Sequence, residues 1–176
     1  DFATIAPSPW APYTAGVADV RVVPKDDANC SKELYWATSQ PVHVAKTCIE
    51  GANAGSLFAA PILLEQQDAD DTKQGYRLHT NAEKVAWIKN ACHPYNTQCQ
   101  GSADAGGGTL HSYLYTDGRN DTSSNNATQI AQSDHADSTY RHIVDVGLTD
   151  AAVFWAGRQT GVCKEILASG TENCFS

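Results

Sequence analysis

Apolar and polar residues alternate along most of this chain. That is the period expected where successive side chains point to opposite faces of a strand. Val17 to Val23 is rich in β-branched residues and stops at Pro24. Glu33 to Ala37 and Val42 to Thr47 flank a Ser39-Gln40-Pro41 turn and predict a hairpin. Leu57 to Glu65 reads as a buried strand, and Tyr76 to His79 as a short one. Thr109 to Thr116 sets Leu110, Ser112 and Leu114 against His111, Tyr113 and Tyr115, then runs into an Asp117-Gly118 turn. Arg141 to Val146 and Ala151 to Gly157 continue the series. Gly161 to Leu167 is placed to pair back across Arg158 to Thr160.

One segment departs from this period. Thr80 followed by Glu83 has the spacing of a capping box, in which hydroxyl and carboxylate satisfy the free amides of a helix start. Ala82, Val85, Ala86 and Lys89 then share a face, with Trp87 and Ile88 widening the apolar sector, so a short helix is predicted near 81–91. The resulting fold class is mainly β (a β-rich α+β chain). The expected architecture is a single disulfide-stabilised antiparallel sandwich or barrel with one short helix.

Two domain regions follow. Residues 1–16 carry Pro7, Pro9 and Pro12, which fix φ and remove amide donors, and read as an extended arm that Trp10 and Tyr13 pin to the body. Residues 17–176 form one β-rich domain, without internal repeats. Two connections stand out as surface loops: Gln100 to Gly108, with its Gly106-Gly107-Gly108 run, and the very polar Asp117 to Ser133. The glycine run precedes no GK[ST] sequence and resembles no phosphate cradle. Both loops are candidate recognition elements on a rigid sheet.

At 176 residues the chain can bury roughly 70% of its unfolded surface, so cross-links are not its substitute for a core. The formal net charge of −8 and the lack of clustered Lys and Arg argue against non-specific nucleic-acid binding and against an anionic membrane surface. No apolar run approaches the ~20 residues of a membrane span. No signal peptide is visible before Asp1, and the numbering reads as that of a mature protein.

The six cysteines change the picture most. They fall into close pairs, Cys30 with Cys48, Cys92 with Cys99 and Cys163 with Cys174, and show no CxxC or Cys/His metal spacing. Neighbour pairing gives three local disulfides, which places the protein in an oxidising, extracellular setting and leaves no thiol for nucleophilic catalysis. Sequons occur at Asn29, Asn120 and Asn126. Asn120 and Asn126 lie in polar sequence and are the expected glycosylation sites, whereas a disulfide at Cys30 would crowd Asn29.

Candidate chemistry sits on histidines. Asp134-His135-Ala136-Asp137, followed by Tyr140, Arg141 and His142, sets carboxylates beside imidazoles. That pattern suits metal ligation by Asp134, His135, Asp137 and His142, orientation of a general base, or simply a solvated turn. A second group, Tyr76, Arg77, His79, Glu83 and His93, contains the residue types that metal-free acid–base RNA cleavage needs. Tyr76-x-x-His79 and His93-Pro94-Tyr95 match neither motif of the small guanyl-type ribonucleases. A hydrolase would therefore draw on His79, His93, His111, His135, His142 and Arg141. No HExxH, G-x-S-x-G or GxGxxG sequence occurs, and no cofactor is expected. Among the aromatics, Tyr35-Trp36, Trp87 and Phe154-Trp155 fill the core or leave one member of each neighbouring pair exposed as a binding platform.

In composition the chain resembles the small cysteine-rich proteins exported by filamentous fungi, such as effectors, toxins and allergens; the likeness covers no motif. The sequence reading is therefore a small secreted disulfide-bonded glycoprotein that recognises a protein or a cell-wall glycan. A small extracellular hydrolase and a secreted metal-binding protein are its alternatives.

Overall fold

The computed structural model describes residues 17–38, 44–52, 62–65, 74–90, 110–121, 126–135, 143–157 and 161–175. These form twelve strands in three four-stranded antiparallel sheets, each built from consecutive strands. The first sheet contains β1 (Val17–Pro24), β2 (Lys32–Thr38), β3 (Val44–Glu50) and β4 (Ile62–Glu65). The second contains β5 (Gln74–Thr80), β6 (Lys84–Asn90), β7 (Leu110–Gly118) and β8 (Thr128–His135). The third contains β9 (Ile143–Leu148), β10 (Ala152–Gly157), β11 (Gly161–Ile166) and β12 (Thr171–Phe175).

The second sheet lies between the other two. Its Leu78, Val85 and Trp87 pack with Tyr35, Ala37, Val44 and Leu64 of the first sheet. From the opposite face Ala86, Ile88 and Leu114 pack with Val146, Leu148, Val153 and Trp155 of the third. Two cores therefore share β6, and both faces of that strand are dry.

The expected helix at 81–91 is corrected by this arrangement. A strand covered on both sides reads as a continuous apolar run, and Val85-Ala86-Trp87-Ile88 is such a run, all four residues fully buried. The polar residues ahead of it cap a turn and not a helix. Asn81 Oδ1 accepts from the amides of Glu83 (2.9 Å) and Lys84 (2.6 Å), closing the β5–β6 connection. The hairpin predicted around Ser39-Gln40-Pro41 is present as β2–β3, and β11 pairs back on β10 as anticipated.

Two other parts of the reading change, and the predicted starts at Leu57 and Arg141 lie outside the described residues. Asp117 to Ser133 is not one surface loop: β7 runs through Gly118, and β8 begins at Thr128 and pairs with β7. The turn falls at Arg119-Asn120. Of the strand predicted from Leu57, the described part is Ile62–Glu65, and the described strand β9 begins at Ile143. β12 has no counterpart in the sequence reading, because Thr171 to Phe175 carries no apolar alternation and every residue in it is exposed. The arm at residues 1–16 and the glycine loop at 101–108 lie outside the described residues.

Two disulfides are in place. Cys30–Cys48 ties the approach to β2 onto β3, and Cys163–Cys174 joins residues directly opposite on β11 and β12. Cys92 and Cys99 lie outside the described residues. The chain is thus a mainly β, disulfide-bonded protein, and no helix among the described residues is long and apolar enough to cross a membrane.

Candidate functional site

Strand alternation explains an unusual cluster between the first two sheets. Glu33, Tyr35 and Ala37 point inward from β2, and Val44 and Lys46 point inward from β3, so a carboxylate and an amine share the face that carries the apolar core. Glu33 Oε1 accepts from Lys25 Nζ at 3.0 Å; Oε2 accepts from Tyr35 Oη at 2.8 Å and Arg119 Nη2 at 3.0 Å. Arg119 also donates from Nη2 to the Pro24 carbonyl (2.8 Å) and from Nη1 to the Asn81 carbonyl (3.0 Å). Its amide donates to Glu83 O at 2.7 Å, and its own carbonyl accepts from Lys46 Nζ. One arginine therefore bonds to β1, β2, β3 and the β5–β6 turn.

The electrostatics follow from burial and partners. Burial alone would raise the Glu33 carboxyl, but hydrogen bonds from Tyr35, Lys25 and Arg119 hold it below the ordinary range. Tyr35 is pushed upward by burial and by its bond to Glu33. Burial lowers Lys46 and raises Asp117, the latter only partly relieved by the Gly118 amide. Every one of these groups is committed to neighbouring sheet backbone or to another member of the cluster, except that Asp117 Oδ2 and Arg119 Nε are buried without a hydrogen-bond partner. The arrangement clamps the first two sheets together.

Of the sequence-predicted residues, some fall among the described ones. His79 lies on β5 opposite Ala86, toward the third sheet, where its Nδ1 accepts from the Leu148 amide at 3.1 Å. That bond places the proton of the neutral ring on Nε2. Arg77 sits at the β5 bulge with φ of 56°, exposed, and Glu83 is exposed in the β5–β6 turn. On the β7–β8 ladder the backbone register sets His111 opposite Asp134, and Leu110 opposite His135. His93, Asp137, Tyr140, Arg141 and His142 lie outside the described residues, which leaves the four-residue metal proposal with two placed backbones, Asp134 and His135.

One His/Cys/Asp/Glu cluster close enough for a metal occurs among the described residues, Cys163, Glu172 and Cys174; its sulfurs are joined in a disulfide and are not available as thiolates. Asn120 and Asn126 are both exposed, and Asn126 Nδ2 donates to Asp121 at 3.1 Å.

Of the two aromatic alternatives, filling the core is the one found. Tyr35 and Trp36 are neighbours on opposite faces of β2, yet both are buried, as are Trp87 and Trp155. Among the described residues the exposed large apolar side chains are five aliphatics, Val17, Val20, Val22, Ile49 and Val162, and one aromatic, Phe175 on β12. On the face of the first sheet turned away from the second, Val20 (46% exposed), Val22 (56%) and Ile49 (40%) stand in water. The residues that sequence reasoning missed, Glu33, Lys46 and Arg119, had one legible signal: two are charges at core-facing positions of otherwise apolar alternations.

No family model matches the chain, and no curated protein does. A chain in a solved structure titled "Crystal structure of Nidogen/Laminin Complex" aligns over 91% of this chain and 78% of its own length. Its identity is 12% and its TM-score 0.25, a likeness too shallow to carry an argument.

Proposed function

We propose that this protein works outside the cell as a binding protein, and that it recognises another protein through the outer face of its first sheet. The observation that carries the reading is the exposed pair Val20 and Val22 on edge strand β1, with Ile49 also exposed on the same face. Val20 and Val22 stand in water on edge strand β1, with Ile49 two strands away on β3; aliphatic side chains exposed on an edge strand suit apolar partner side chains better than sugar rings, which stack on aromatics. The disulfides support an oxidising destination. Asn120 and Asn126 are the glycosylation sites of this reading. Both are exposed near the β7–β8 connection, far in sequence from the valine row, and a peptide-N-glycosidase mass shift on secreted protein tests them.

The decisive comparison is between the unmodified protein and a Val20→Glu, Val22→Glu variant. Each is used to capture partners from the extracellular fluid of its source and is applied to a glycan array. The reading expects retained folding and loss of a specific protein partner in the variant, with no glycan signal. Identical capture by both proteins would count against it, and so would glycan binding that the substitutions leave unchanged.

A hydrolytic reading has one observation in its favour, the His111–Asp134 register pairing of an imidazole residue with a carboxylate residue. Its test is RNA and polysaccharide turnover by the unmodified protein and by His111→Ala. Turnover that vanishes in the variant would replace the binding reading.

A further inference from the structure

In their strand register the three sheets repeat one another, which the sequence alone did not show. Trp36, Trp87 and Trp155 hold the same place in the second strand of each sheet, opposite Val20, Leu78 and Val146 of the first strand. From that alignment Tyr35, Ala86 and Phe154 are equivalent, as are Ala37, Ile88 and Ala156, and Val44, Leu114 and Val162 on the third strand. The two faces are used in a fixed order. Trp87 packs toward the first sheet and Trp155 toward the second, so each meets the preceding sheet with its tryptophan face. The main approaches between sheets all involve a first strand, β5 or β9, so the sheets fan out from a common line.

The fan ends on an uncovered face. In the first two sheets the residues turned toward the following sheet, Tyr35, Ala37, Val44, Ala86, Ile88 and Leu114, are fully buried. Their equivalents on the third sheet are open: Val162 is 49% exposed, and Phe154 and Ala156 are partly exposed. Phe175, opposite Val162 on β12, is 61% exposed. Polar connectors recur there too. Asp19, opposite Ala37, holds the Val20 amide with Oδ1 (2.8 Å) and accepts from the Leu78 amide of the next sheet with Oδ2 (2.8 Å). Asp145, opposite Ala156, holds the Val146 amide in the same way (3.0 Å) and is exposed. Lys46, opposite Tyr35, reaches the Arg119 carbonyl beyond β7 of the next sheet, and Lys164 stands in the equivalent place opposite Phe154.

We infer that the outer face of the third sheet docks the first sheet of a second copy of this chain, and that two copies join head to tail. The occupant follows from the repeat. What covers this face in the first two sheets is the tryptophan face of another sheet of the same kind. Among the described residues, the tryptophan face with no sheet upon it is that of the first sheet. Trp36 is already buried there, so the contact falls on β1, where Val20 is 46% exposed although its equivalents Leu78 and Val146 are buried. Because the two faces differ, the contact is heterologous, and such contacts close into a ring when the rotation permits. Two copies supply six sheets, within the roughly four to eight that rings of four-stranded sheets typically hold. For the first sheet's part this rests on the binding reading proposed above, and it supplies that reading's partner.

Sedimentation velocity across a concentration series tests the docking, with the unmodified protein and two variants altered at exposed positions, Val162→Glu and Val20→Glu. Expected is a dimer of the unmodified chain. In either variant the dissociation constant should rise about a hundredfold or more, since a carboxylate would be buried unpaired. An equimolar mixture of the two variants should associate again, because it retains one unaltered pair of faces. Circular dichroism checks that each variant folds, and Phe175→Glu replaces Val162→Glu if the latter does not. A monomer at every concentration overturns the inference, as does a dimer indifferent to Val162→Glu. Dimerisation lost in Val162→Glu but kept in Val20→Glu would mean that two third sheets meet each other, and assemblies growing beyond two copies would mean that the ring does not close; either outcome refutes it. A monomer whose capture of a foreign protein still depends on Val20 and Val22 removes self-docking and leaves the binding reading standing.

Discussion

Arg119 Nη2 lies 3.0 Å from Glu33 Oε2, with both side chains only 6% exposed, joining the turn after β7 to the middle of the first interface. Removing Arg119 leaves the Glu33 carboxylate with Lys25 and Tyr35 alone, and removing Glu33 leaves a buried guanidinium with backbone carbonyls only. Arg119→Met is therefore expected to cost roughly 3–5 kcal/mol in urea unfolding. The Glu33→Met, Arg119→Met double variant is expected to cost less than Arg119→Met alone, because the half-paired buried carboxylate is gone. A double variant worse than the single would show that the arginine acts mainly through its bonds to the Pro24 and Asn81 carbonyls.

Two carboxyls in this cluster pull stability in opposite directions with pH. Glu33, held below its ordinary value of 4.5, stabilises the fold above that value, and the contribution is lost as pH falls through its depressed folded pKa. Asp117 is raised from 3.8 by burial, so the fold holds its proton more tightly and loses that advantage as pH climbs from 3.8 to the raised value. Glu33→Gln should flatten the acid limb of a stability–pH profile. Asp117→Asn should raise stability at neutral pH relative to acid, and a neutral-pH loss would contradict the assignment.

The shared strand β6 makes a distinct prediction, because both of its faces are dry. Trp87→Ala opens a cavity in the first core and should cost about 3–5 kcal/mol. Ala86→Leu overfills the second core and should cost about 1–3 kcal/mol. An amphipathic element would tolerate one of the two, so denaturant midpoints for both variants check the three-layer arrangement.

Gly51 adopts φ of +124° with an added Cβ meeting Asn29 O at 2.7 Å and Cys30 Cα at 2.8 Å. Gly51→Ala therefore both strains the backbone and drives into the chain beside the Cys30–Cys48 bridge; a cost of roughly 1–3 kcal/mol is expected. Gly170, at φ of +64° with open space around it, is the control, and Gly170→Asn should change the thermal midpoint little.

The disulfides make the last prediction chemical. Denatured without reductant, the protein should take up no maleimide at Cys30, Cys48, Cys163 or Cys174, and should label at all four after reduction. Replacing Cys163 and Cys174 by Ser releases β12, whose side chains are all exposed, and should speed amide exchange in β12 far more than in β10.

Much of the fold was legible because most strands alternate. Val17 to Val23, Glu33 to Ala37 and Thr109 to Thr116 each have one face against a core and one partly open, so their periodicity survives in the sequence. β6 was misread because burial on both faces erases that period, and Asn81 with Glu83 can cap a turn as well as a helix. β8 and β12 were missed because they are held by backbone pairing and a disulfide, with little apolar content of their own. Of the candidate site, the histidine clusters were legible as residue types only. His79 is occupied by the Leu148 amide, a bond between positions 69 residues apart.

Composition and cysteine spacing settled by themselves that this is a β-rich chain stitched by short-range disulfides, because strand period and neighbour pairing are local properties. Tertiary structure alone decided that three sheets stack with the second in the middle, and that Arg119 and Glu33 meet in a dry interface. It also decided that Val20, Val22 and Ile49 face water. Those outcomes depend on which faces are covered, and coverage is set by distant segments whose meeting leaves no mark in any single stretch of sequence.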